Sequence, residues 1–167
     1  MTDSWQTASI GVRDFANPVS DRWLEDYVSG DVFEYGSITV TEADILEFAH
    51  RYDPQSIHID EDAAREGPFG GLIASGWQTA SVFMRMFADN FLTAVGSLSS
   101  PGIDELRWTA PVRPGDTLRI RVTVDESRRS RSKPDRGIIH TTGEMFNQDG
   151  TVVLTLRAMN LIAARPV

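Results

Sequence analysis

The chain of 167 residues has no cysteine, 41% hydrophobic and 24% charged residues, and a formal charge of −8. These values suit one globular domain and are far from a disordered composition; the missing cysteines exclude disulfides, thiolate nucleophiles and sulfur-ligated metals. An acidic chain with a pI near 4.8 is a poor partner for nucleic acid, which is bound through Lys and Arg, and the charge serves solubility.

No window approaches the apolar run of a membrane span, and "MTDSWQTASIGVRDF" lacks the basic-then-apolar layout of a secretory signal. A cytoplasmic protein with no membrane partner is expected. Residues 1–20 show no periodicity and read as an N-terminal arm or irregular lead-in, with residues 21–167 forming a single domain. "GDVFEYGSITV" reads as a first strand. In "TEADILEFAHRYDP", Ile45, Phe48, Ala49 and Tyr52 recur as one helical face. Thr41 and Asp44 make a capping-box start and Pro54 discourages continuation, so a helix over about 42–52 is expected.

"SGWQTASVFMRMFAD" is apolar nearly all round, the pattern of a helix buried inside its domain. From about residue 103 the chain reads as strands. "TLRIRVTVDE" alternates with Leu118, Ile120, Val122 and Val124 on one side, as a half-buried antiparallel strand does. "RPGD" marks a turn, and "QDG" joins "RGIIHTTGEMFN" to "TVVLTLRAMNLIA" as a hairpin. An α+β architecture follows, an antiparallel sheet wrapped around an apolar helix.

Between the two helices "YDPQSIHIDEDAA" sets Asp53 and His58 five residues apart. On a helix or a strand that offset separates the side chains, so only a turn brings them together; Pro54 suits its second position, with Asp53 at the first. Converged, a carboxylate and an imidazole can activate and orient water; otherwise Asp53 caps the turn and His58 is structural. In "IASGWQ", Ser75 can N-cap the second helix with Gln78 completing a capping box. Gly76 would then keep a free N–H at the positive helix end, a donor to a developing oxyanion, and lacks a Cβ that would obstruct a substrate. The alternative is a plain helix start hydrated by water.

These two features in this order, followed by "APVRPGDTLRIRVTV", resemble the MaoC-like dehydratases and (R)-specific enoyl-CoA hydratases, over about Trp23 to Ala164. Asp53, Ile57, His58 and Ala63 match the family signature; Gln55 stands where Asn is usual and Ser56 where Pro is usual. The resemblance implies the hotdog fold and a hydro-lyase in which Asp53 and His58 are catalytic, adding water to, or removing it from, the 2,3 bond of an acyl-CoA. It implies the Gly76 N–H as oxyanion donor and substrate contacts from Gln55, Ser75 and Trp77. It further implies a homodimer or higher homo-oligomer, with coenzyme A as part of the substrate. Two other functions stay open: a hotdog thioesterase, and a non-catalytic acyl-CoA-binding protein.

The loop "RRSRSKPDRG" is a basic island on an acidic chain. Either Arg131 and Lys133 receive the phosphates of coenzyme A, or the loop is a solvated hairpin. His50 and His140 read as structural. Trp77, Phe83, Met84 and Phe87 read as core, a subset of which can line an acyl tunnel. Neither a zinc-ligand spacing nor a dinucleotide fingerprint is present, so no metal and no separate cofactor is expected.

Overall fold

The computed structural model describes residues 7–166; of the lead-in, residues 1–6 lie outside the described part. Six antiparallel strands form one sheet: β1 (Ala8–Ser9), β2 (Val32–Thr39), β3 (Ser97–Trp108), β4 (Thr117–Arg129), β5 (Arg136–Phe146) and β6 (Val152–Ala163), in the order β1-β2-β4-β5-β6-β3. Three helices precede the main one: α1 (Glu42–Tyr52), α2 (Ser56–Ile59) and α3 (Glu61–Glu66). The main helix, α4 (Gly76–Asn90), lies against the sheet. This is the expected α+β arrangement.

Alternation decides which strand faces meet the helix. Leu118, Ile120, Val122 and Val124 of β4 are fully buried; Val122 and Ile120 pair across to Gly143 and Met145 of β5, which in turn pair with Leu156 and Leu154 of β6. α4 contributes Val82, Phe83, Met86 and Phe87 to that core. At Gly143 the helix packs directly on the strand: a Cβ there would lie 2.4 Å from the Phe83 ring. Burial of these side chains, each worth roughly 1.5–3 kcal/mol, is what holds helix to sheet.

Three expectations need correction. α4 is not enclosed all round, because Trp77 and Met84 are 61% and 48% exposed on a stripe the sheet does not reach. Tyr52 likewise turns outward, packing against Phe48 and under the Arg51 guanidinium. β3 begins at Ser97 rather than near 103; an edge strand tolerates Pro101, and its register shifts around Gly102. Apart from these, Ala8–Ser9 adds a short strand to the edge of β2.

Candidate active site

α1 ends where Pro54 ends it. Asp53 is its C-cap, and the Gln55 N–H donates to the Asp53 carbonyl at 2.8 Å, closing a three-residue turn about Pro54. Asp53 and Pro54 hold the first and second positions as expected. The chain then enters α2, whose last turn carries His58, so a turn followed by a helical half-turn brings the two side chains together.

His58 is buried, and its Nδ1 lies 2.8 Å from the carbonyl of Ile73. A carbonyl can only accept, so Nδ1 carries a hydrogen, and in the uncharged tautomer of the ring Nε2 is left as an acceptor. That Nε2 sits 3.4 Å from Oδ2 of Asp53, too long for a good direct hydrogen bond. The Ser75 hydroxyl donates to the same Oδ2 at 2.6 Å, and the Gln55 amide donates to Oδ1 at 2.7 Å. The Ser75 bond first, then that of Gln55, holds the Asp53 carboxyl below the usual carboxylate range; burial opposes them, and the nearby His58 adds the smallest contribution downward.

Ser75 N-caps α4 as expected, accepting the Trp77 N–H at 3.2 Å. Its hydroxyl therefore links the head of α4 to the carboxylate. The Gly76 N–H has no hydrogen-bond partner among the described residues. Two details differ from the sequence reading. Gln78 does not close a capping box: its amide is turned inward, with Oε1 buried and unpartnered. The glycine at 76 also answers to protein as well as to substrate. The Trp108 indole N–H donates to the Gly76 carbonyl at 2.7 Å, and a Cβ on residue 76 would lie 2.5 Å from that ring. Trp77 packs edge-on against Trp108.

Arg131 and Lys133 are not brought to this site. They lie in the β4–β5 hairpin, and β4 is 13 residues long, about 40 Å at the usual strand rise. Asp53 sits at the other end, where the Ala74 N–H bonds the Val112 carbonyl just ahead of β4. The hairpin's other cations pair locally, Arg128 with Glu126, Arg129 with Glu25 and Arg136 with Asp135. A coenzyme A role for the hairpin has no support within one chain.

Sequence reasoning missed Trp108 and the Ile73 carbonyl, because both act across long sequence separations with no local pattern. It assigned Gln55 to substrate, whereas its amide reaches back to Asp53. Among the described residues no three His, Asp or Glu side chains cluster as a metal site would need, and no helix is long and apolar enough to cross a membrane.

An antiparallel sheet laid over one long helix, with a carboxylate and an imidazole gathered at the head of that helix, defines a hotdog-fold domain. A family model described as "MaoC like domain" matches residues 28–143, and the chain belongs to the MaoC-like dehydratase family. The uncharacterised protein YdeM of Bacillus subtilis is 30% identical over 125 residues, covering 75% of this chain and 87% of that one. The 3-hydroxyacyl-thioester dehydratase Z of Mycobacterium tuberculosis is 32% identical over 84 residues, 49% of this chain and 56% of its own length. The crystal structure of the MaoC-like dehydratase from Rhodospirillum rubrum is 41% identical with a TM-score of 0.81, covering 87% of this chain and 99% of that one.

Proposed function

We propose that the chain adds water to, or removes it from, the 2,3 bond of an acyl-CoA thioester, as an enoyl-CoA hydratase or 3-hydroxyacyl-CoA dehydratase. One observation carries the reading: Nε2 of His58 and Oδ2 of Asp53 lie 3.4 Å apart, and with the ring uncharged both are acceptors. A guest shared by two acceptors must donate twice, and water does so while keeping a lone pair for attack. Kinship with a 3-hydroxyacyl-thioester dehydratase supports the thioester as substrate.

In the hydration direction the water oxygen bonds to C3 and its proton passes to Nε2. The double-bond electrons move onto the thioester oxygen, where the Gly76 N–H and the positive end of α4 stabilise the charge. The imidazolium then returns a proton to C2, so one water has been added and both residues are restored. Dehydration runs the same steps in reverse. Ser75 acts by holding Asp53, and Trp77, exposed beside Gly76, lines the entry of the acyl chain. A homodimer formed through the open edge of β3 is the working unit.

Incubating the protein with 2-enoyl-CoA and 3-hydroxyacyl-CoA thioesters in isotopically labelled water, with mass spectrometry, tests the reading. Gain or loss of one water with the thioester intact is expected; release of free CoA would instead mark a thioesterase, and binding without turnover a non-catalytic protein. Asp53→Asn and His58→Ala should each lower kcat by roughly 10²–10⁴-fold while the fold persists. A variant with near-normal turnover would remove its residue from the mechanism.

A further inference from the structure

Gln55 departs from the family's usual Asn, and its place in the fold gives the departure a use. It is the N-cap of α2, but its side chain makes no capping hydrogen bond there. Short side chains such as Asn, Asp and Ser favour that task, whereas the longer Gln is free to reach elsewhere. Here it reaches back two residues and donates to Oδ1 of Asp53 at 2.7 Å, while Ser75 donates to Oδ2 from the opposite side at 2.6 Å. Each oxygen of the carboxylate is thus held by its own donor, one from the α1–α2 turn and one from the head of α4.

We propose that Gln55 is a positioning residue, which with Ser75 fixes the plane of the Asp53 carboxylate and keeps it from taking a proton, so that Asp53 orients the water and His58 Nε2 receives its proton. Two donors aimed at a carboxylate favour its charged form and weaken it as a base, in keeping with the downward shift whose second cause is the Gln55 bond. His58, on α2, is the titratable side chain that Asp53 faces at close range; α4 presents Ser75, which does not titrate. The division of labour rests on the hydratase reading, but the clamp itself does not.

Two variants separate donation from side-chain length. Gln55→Leu removes the donor, and Gln55→Glu keeps the arm but replaces the donor with a carboxylate. Residue 55 is exposed, so both should fold. In ¹³C NMR titrations of the Asp53 carboxyl in the intact protein, the midpoint should move to higher pH in Gln55→Leu and further up in Gln55→Glu. The acid limb of kcat/KM should move the same way, with kcat falling about ten- to hundredfold and KM changing little. An Asp53 midpoint that stays in place in both variants overturns the proposal. If the midpoint moves but no thioester is hydrated by the unmodified protein, the clamp stands and the hydratase reading fails.

Discussion

Gly76 is constrained from two directions. Its N–H is free at the head of a helix of 15 residues, while its carbonyl and Cα are pressed by the Trp108 indole. Adding a methyl group at that Cα forces either the indole or the first peptide of α4 to move, and under the proposed mechanism a displaced donor would no longer point at the developing charge. Gly76→Ala should therefore lower kcat by roughly 10²–10³-fold, the usual loss of one oxyanion donor. Trimming the obstacle in the double variant Gly76→Ala/Trp108→Ala should recover part of that loss. Steady-state kinetics of the single and double variants decide this, and an unaffected Gly76→Ala enzyme would mean that the glycine is not needed for turnover. The sequence exposed the glycine but not its reason, because Trp108 lies 32 positions away and nothing local marks a contact of that range. Asp53 adds a pH term at the same scale. Its folded pKa is depressed, so its contribution to stability is complete above the unfolded pKa and is lost as the pH falls through the folded value.

Elements whose signals are local were legible. α1 starts at a capping box made by Thr41 and Asp44 and stops just before Asp53–Pro54, and both signals lie within a few residues of the ends they define. α4 was legible as a helix, but its burial was not, since enclosure depends on how far the sheet extends. What holds its C-terminal end was hidden altogether. Arg22, almost fully buried, donates to the carbonyls of Asn90 and Phe91 at 2.6 and 2.9 Å, and its guanidinium lies 3.6 Å from the centre of the Phe15 ring. Helix-end carbonyls lack intrahelical partners, so Arg22 both satisfies them and offsets the negative end of the helix dipole. It thereby ties the irregular lead-in to the helix that carries the site. Arg22→Leu leaves those carbonyls without a charged donor and should cost about 3 kcal/mol, seen as a lower urea midpoint at matched protein concentration with an unchanged m-value. A midpoint within a few tenths of a kcal/mol of the parent would show that water replaces the guanidinium at no cost.

The architecture as a whole followed from strand alternation and from the order of helix and strands, yet alternation says nothing about where a sheet ends. β3 is that end. It has one neighbour, β6, among the described residues, and most of its 12 residues are exposed on both faces, including Leu98 and Ile103 at 45% and 53%. A long edge with apolar side chains is a template for further pairing, and next to it α4 leaves Trp77 and Met84 uncovered, with Trp77 against Trp108 of the same strand. Under the proposed homodimer, a second copy related by a two-fold axis would answer both exposures, extending the sheet across β3 and covering the open stripe of α4. On this reading the Trp108 that packs on Gly76 sits at the junction of the two copies, so dissociation should affect the site as well as the assembly. Light scattering should give a mass of twice 18.5 kDa or a multiple of it. Ile103→Lys, which sets a charge in the middle of the edge without touching Asp53 or His58, should yield monomers that turn over at least tenfold more slowly than the parent. A parent protein that is monomeric at micromolar concentration and fully active, or an Ile103→Lys monomer as active as the parent, would make the exposed edge irrelevant to function.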